Sequence, residues 1–312
     1  MYPDTLAFPF LGTEIYAYGL CLLAGTFLGL GILYRLSRKR NLMPAAALTG
    51  FLALPLGLIL ARLLFVFGDP IFRPYLSFAN IFNLRTGGFA MYGALAGAVL
   101  GALFSARANR VKAARVLDIL APALMAFLIP ARLGEGFTVL GISRPLTTPW
   151  IAGSFLARRE PFEAYLRTYA LEAFVALVLL IILLFALKRY RRPGNVFLMG
   201  CLLYSITQTL MESLRFDGHL RLSFVGIQQV LSAVLFSAAL IVLAVRALKK
   251  PGGKALPVLS LILLPLIIAG AIAVEFMIDR SPIGKLPAYG LYLLLLAIPL
   301  GLGMLLFRRE GA

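Results

Sequence analysis

The sequence predicts an all-α polytopic integral membrane protein with about nine transmembrane helices, its N-terminus outside and its C-terminus inside. Three observations predict this. The 312 residues are 61% hydrophobic, with a mean hydropathy of +0.93, and a soluble domain of this size cannot bury that much apolar surface. The apolar residues fall in continuous runs of about 20, long enough to cross a bilayer as helices whose backbone groups pair internally. A membrane β-barrel would alternate apolar and polar residues instead. Finally, most of the 30 Lys and Arg residues sit in every second connection, the pattern that orients membrane spans with basic loops inside.

Taken in order, the runs are 15–34, 46–67, 87–106, 115–132, 169–188, 196–214, 225–247, 256–276 and 287–307. Basic stretches follow the odd-numbered runs: Arg35 to Arg40, Arg107 to Arg115, Lys188 to Arg192, Arg246 to Lys254, and Arg308–Arg309. The other connections, 68–86, 133–168, 215–224 and 277–286, hold six of the 13 acids, against none in the basic connections, and read as external. The segment 133–168 contains Trp150 and is too short for a separate domain, so it reads as a cap over the outer face. Pro251–Gly252–Gly253 marks a flexible boundary. Residues 1–250 then form a seven-helix membrane domain and 251–312 a two-helix, lipid-facing extension.

Several function classes are excluded. The net charge of +17 fits topogenesis and anionic lipid better than nucleic acid, because no compact basic domain exists. One histidine, His219, cannot build an imidazole metal site, and no cofactor motif is present. Cys21 and Cys201 lie mid-span, so no disulfide framework is indicated. Gly93, Gly97 and Gly101, and likewise Gly25 and Gly29, recur every four residues, a spacing that lets helix backbones approach closely. The pair Gly87–Gly88 opens the third span, where it serves either a turn or a close ligand approach.

Once oriented, the polar residues of the spans gather near the outer face. Tyr18 begins the first span and Arg62 lies near the outer end of the second. Arg85 and Tyr92 flank the start of the third. Arg132 and Glu135 close the fourth, and Glu172 opens the fifth. Tyr204, Gln208, Glu212 and Arg215 follow at helical spacing along the sixth. An unpaired ionisable group at membrane depth costs roughly 2.5–3.5 kcal/mol, so several at one level imply mutual pairing around a polar cavity. Four arginines against Glu135, Glu172 and Glu212 leave surplus cation, and a guanidinium fork suits phosphate. The expected guest is an anionic phospholipid. The alternative is an ion-pair network that only holds the bundle together.

Specific strings then resemble the bacterial prolipoprotein diacylglyceryl transferase family over about residues 10–247. They are Tyr18–Gly19–Leu20, Ala61–Arg62–Leu63, the segment Gly87–Gly88–Phe89–Ala90–Met91–Tyr92–Gly93 followed by Gly97, Asp118 with Ala121–Pro122, Arg132–Leu133–Gly134, Glu212 with Arg215, and Gly226 to Ser232. The resemblance implies transfer of the diacylglyceryl group of phosphatidylglycerol to the lipobox cysteine thiol of a lipoprotein precursor, recognised through its signal peptide. A thioether forms, glycerol phosphate leaves, and the setting is the bacterial cytoplasmic membrane. It also implies catalytic roles for Arg132, Glu135, Tyr92, Tyr204 and Glu212. Substrate binding falls to Arg62, Arg85, Tyr18, Gly87, Gly88, Gln208 and Arg215, with neither cofactor nor metal.

Three positions depart from the family pattern. Tyr92 stands in place of a histidine, Glu135 in place of an asparagine, and Gln208 in place of an arginine. A thiol of pKa about 8.5 needs a base at neutral pH. Tyrosine is a poor one, with an unperturbed pKa of about 10. Glu135 is the candidate replacement, either as base or as ion-pair partner of Arg132. The competing reading is a homologue that binds phospholipid or precursor without catalysis, or that uses a different acceptor.

Overall fold

The computed structural model describes residues 7–10, 13–68, 77–83, 87–217, 220–280 and 285–311. Two compact units divide the chain, Met1–Leu187 with Leu214–Leu220 and Lys188–Ser213 with Arg221–Ala312.

The first unit begins with an antiparallel hairpin, β1 (Ala7–Phe10) and β2 (Thr13–Tyr16), that pairs Ala7 with Tyr16 and feeds directly into α1 (Ala17–Arg38). Arg35 and Arg38 end α1, where cations favour the carbonyl end of a helix. Asn41 then takes a left-handed φ of 54°, a conformation its short amide tolerates, and the chain reverses into α2 (Met43–Gly68). The one-turn helix α3 (Phe78–Ile81) is capped by Ser77, whose hydroxyl accepts from the Asn80 amide at 3.2 Å. Next come α4 (Met91–Ala108) and α5 (Ala113–Gly134), the latter closed by a 3-10 turn at Glu135–Phe137.

The connection beyond that turn folds as β3 (Ile142–Pro145), the short helix α6 (Pro149–Ala152), β4 (Ala157–Arg159) and β5 (Ala164–Arg167). The strands form an antiparallel sheet in the order β3–β5–β4. On this sheet Tyr165 donates to the Glu163 carboxylate, which pushes its phenol above the usual tyrosine range. The last helix of the unit is α7 (Thr168–Arg189).

Small residues set the packing of this unit. α2 lies against α4 and α1 against α5. A Cβ at Gly93 would collide with Leu60 and Ala61, and one at Gly97 with Leu56 and Gly57. Gly25 and Gly29 meet Phe127 and Ala123 of α5 in the same way. These are backbone-to-backbone approaches that only glycine permits. Leu33, Leu42, Ala46, Ile119 and Ala123 form a buried cluster beside the first basic turn.

The second unit holds α8 (Asn195–Leu214), a two-residue-per-strand hairpin of β6 (Arg221–Leu222) and β7 (Val225–Gly226), then α9 (Ile227–Leu248), α10 (Ala255–Arg280) and α11 (Lys285–Gly311). α9 packs against both α10 and α11. Phe224 meets Phe276 edge-on at 5.5 Å. The extension is therefore not a purely lipid-facing pair: Glu275, Tyr292, Leu306 and Phe307 are all buried.

Among the described residues nine long helices appear where nine spans are predicted, and eight are long and apolar enough to cross a membrane. The other, α8, has 20 residues. Its buried Tyr204, Ser205, Gln208, Thr209 and Glu212 lower its apolarity. The protein is thus a mostly helical, multi-pass membrane protein. The hairpins and the small sheet are additions to the all-α expectation: β3, β4 and β5 lie in the connection 133–168, whereas β2 and β7 take up the first residues of the expected runs 15–34 and 225–247.

Candidate functional site

The strongest polar feature is a closed ring of buried charges in the first unit. Pro130, inside α5, removes a backbone donor, and Gly134 ends the helix against Cys21 and Tyr18 of α1. That ending fixes Arg132 and Glu135 one turn apart. Arg132 Nη1 lies 2.7 Å from Glu135 Oε1, and its Nε lies 2.8 Å from Glu172 Oε2 on α7. Arg215 closes the ring: its Nη1 is 2.7 Å from Glu172 Oε1 and its Nη2 is 2.8 Å from Glu135 Oε2. Each carboxylate thus spans both guanidiniums. None of the four side chains is more than 4% exposed.

Asp217 adds a third carboxylate, 2.7 Å from Arg215 Nη2, and also accepts from the Gly141 amide. Gly141 holds φ +73°, and a Cβ there would press on Tyr169 and on Glu135 Oε2. The phenol of Tyr18 lies within electrostatic reach of Glu135, Arg132 and Arg215. Asp217 is the member that the sequence reading missed. Its signal was available: an acid two residues after Arg215, in a connection otherwise short of partners.

Of the four arginines weighed in the sequence, Arg132 and Arg215 join the ring with Glu135, Glu172 and Asp217. One expectation is corrected. Arg215 was expected on one helical face with Tyr204, Gln208 and Glu212. Instead α8 stops at Leu214, and Arg215 belongs to the ring.

The remaining predicted residues fall in other places. Arg62, 2% exposed, clasps backbone carbonyls. Its Nε reaches Ile81 O at 3.0 Å, its Nη2 reaches Asn80 O at 2.8 Å, and its Nη1 bonds Gly87 O and Gly88 O. Its guanidinium also stands 5.9 Å from the Phe89 ring centre, a cation–π distance. Gly87 and Gly88 take left-handed φ values of 68° and 77°, which glycine adopts freely. Phe65 fills the space beside Gly88, whereas the space beside Gly87 is open. Gly88 therefore serves the turn, and only Gly87 keeps an open face. Tyr92 is buried at the start of α4. Arg85 and His219 lie outside the described residues.

In the second unit, Tyr204, Gln208 and Glu212 form one buried face of α8. Gln208 Nε2 lies 3.5 Å from Gln228 Oε1. The Gly226 amide donates to Gln229 Oε1 at 2.8 Å, which closes the start of α9. Glu212 packs so closely that a Cβ on Gly226 would lie 2.8 Å from both its Cγ and its Oε1. Gly226→Ala is accordingly expected to displace Glu212 and cost about 1–3 kcal/mol, read as a lower unfolding temperature in detergent.

Chemically, the ring is a fork–fork array suited to exchanging a carboxylate for another oxyanion. Among the described residues no cluster of His, Cys, Asp and Glu side chains fits a metal.

The family model described as prolipoprotein diacylglyceryl transferase matches residues 5–245. A phosphatidylglycerol–prolipoprotein diacylglyceryl transferase of Frankia alni is 30% identical over 207 residues, 64% of this chain and 55% of that protein, so the chain spans about half of that relative. Proteins of the same name from Thermosynechococcus vestitus and Clostridium novyi are 28% and 27% identical over 70% and 77% of this chain. Those matches cover 83% and 95% of the relatives. With the ring residues and the glycine segment all inside the matched region, the chain belongs to the prolipoprotein diacylglyceryl transferase family.

Proposed function

We propose that this protein transfers the diacylglyceryl group of phosphatidylglycerol to the lipobox cysteine thiol of a lipoprotein precursor, at the outer face of the bacterial cytoplasmic membrane. The observation that carries the reading is the buried arginine pair, Arg132 and Arg215, inside the region that matches the family.

The reaction breaks the bond between the glyceryl carbon and the phosphate oxygen and forms a carbon–sulfur bond. Glycerol phosphate leaves with the electron pair. A lipid phosphate entering the ring takes guanidinium edges from Glu135, and the released carboxylate accepts the thiol proton. Arg132 and Arg215 then hold the charge that develops on the leaving group, the stage at which fixed cations accelerate most. Tyr18 borders the same cluster, and Arg62 holds the Gly87–Gly88 turn open on its Gly87 side. Tyr92, Tyr204, Gln208 and Glu212 are assigned supporting roles in substrate placement. The precursor is recognised through its signal peptide, and the basic turns face the cytoplasm.

A second reading, lipid or precursor binding without transfer, draws on one observation. Both guanidiniums are already matched by carboxylates.

One experiment separates them. The chain is expressed in cells depleted of their own diacylglyceryl transferase, and a precursor is examined by mass spectrometry. A diacylglyceryl mass gain on the lipobox cysteine is expected, with Arg132→Ala lowering it by at least about 100-fold. An unmodified precursor beside inserted, folded protein sinks the transferase reading and leaves the binding one.

A further inference from the structure

The family match stops at residue 245, so α10 and α11 lie wholly beyond it. Such an extension has no evident need of buried polar groups. Yet α10 buries Glu275, which is 5% exposed, in a position where an intramembrane acid is expensive and marks a function.

Its surroundings say what it touches. The Glu275 carboxylate rests against the side chains of Ser213 and Gln229, and Arg221 and Glu212 are the charged groups facing it. Its Oε2 has no hydrogen-bond partner among the described residues. From α11, Tyr289 donates its hydroxyl to Ser213 O at 2.9 Å. Tyr292, one turn further on and 1% exposed, also lies within reach of Glu275. Both extension helices therefore send polar side chains to the same place, the end of α8 and the start of α9.

At that place Gln229 is already busy. It accepts from the Gly226 amide at 2.8 Å, and its Nε2 lies 3.4 Å from Thr209 O. Gly226 in turn abuts Glu212. A chain of contacts thus runs from Glu275 through Gln229 and Gly226 to Glu212.

We propose that Glu275, supported by Tyr289, is a positioning residue that fixes Gln229 and hence Glu212, which makes α10 and α11 a working part of the enzyme. The inference rests on the transferase reading above. An extension that served only as an anchor would meet α8 and α9 through apolar side chains alone.

The test uses the full chain in nanodiscs containing phosphatidylglycerol, with a lipobox peptide as acceptor. Glu275→Leu, Glu275→Gln, Tyr289→Phe and Leu294→Ala are compared, Leu294 being 71% exposed. Glu275→Leu is expected to lower kcat about tenfold, with KM for the lipid within about twofold. Hydrogen exchange at residues 226–229 rises in the same variant. Glu275→Gln keeps one acceptor oxygen and recovers most of the rate. Tyr289→Phe shows a smaller loss of the same kind, and Leu294→Ala shows none. Wild-type kcat and wild-type exchange in Glu275→Leu would overturn the proposal. So would a loss of protection spread evenly over the whole second unit, which marks a merely structural residue. If the wild-type protein transfers no lipid, the transferase reading fails by itself, and the exchange at 226–229 still decides whether Glu275 positions Gln229.

Discussion

Arg215→Met is expected to destabilise the protein by about 3–5 kcal/mol, the cost of breaking a buried ion pair from one side. Arg215 contacts Glu135, Glu172 and Asp217 through two nitrogens. Removing it withdraws a guanidinium from three buried carboxylates. Desolvated charge without a partner carries the loss, and the attraction forgone adds to it. The measurement is thermal unfolding in detergent, with transferase activity followed in parallel and expected to vanish. Arg215→Lys should recover less than half of either, because an ammonium is a point charge and cannot present the two-edged fork that this geometry uses. Adding Glu172→Gln to Arg215→Met removes one stranded charge. The double variant should therefore be more stable than the single, a coupling that a mutant cycle reads directly. A single variant with wild-type stability would show that the ring does not hold the first unit together.

Gly97→Leu is expected to abolish folding of the first unit, with a loss above about 3 kcal/mol, at the far end of what overpacking costs. The site has no slack. A Cβ at Gly97 would already collide with the backbone of Leu56 and Gly57, and backbone cannot rotate aside as a side chain can. Separating α2 from α4 would also break the bond from the Ala90 amide to Ala61 O, 2.9 Å long. The Arg62 clasp on Gly87 and Gly88 would go with it. Monodispersity of a fluorescent fusion on size exclusion checks this. Gly31→Leu supplies the contrast: nothing lies within 4 Å of a Cβ there, so its effect should stay within about 0.5 kcal/mol.

The helices were legible because membrane spans advertise themselves twice, by length of apolar run and by the sign of charge at each end. The expected run 169–188 is helix Thr168–Arg189, and 225–247 is helix Ile227–Leu248. The hairpins were not legible. Strands of two to four residues, such as Arg221–Leu222 and Thr13–Tyr16, are too short to show alternation. Half of the ring was legible, since Arg132 and Glu135 are three residues apart on one helix. Its closure by Arg215 depended on where α8 ends, and helix ends are the least certain part of such a reading. The binding of Arg62 to carbonyls had no signature at all, because backbone acceptors look alike in every sequence. Glu275 sits one residue from the end of the expected run 256–276, where an acid passes as interfacial.

The four basic turns have a consequence for how the chain is made. They span residues 39–42, 109–112, 190–194 and 249–254, and none is longer than six residues. Three of them join helices that pack against each other within one unit, α1–α2, α4–α5 and α9–α10, so each of these pairs can emerge from the ribosome as a ready-made hairpin. A hairpin can enter the bilayer as one piece while its charged bend stays behind, and no large polar segment has to cross with it. Biogenesis and architecture are in this sense divided between two kinds of connection: the short basic turns set the order of insertion, and the longer connections are left free to vary in length.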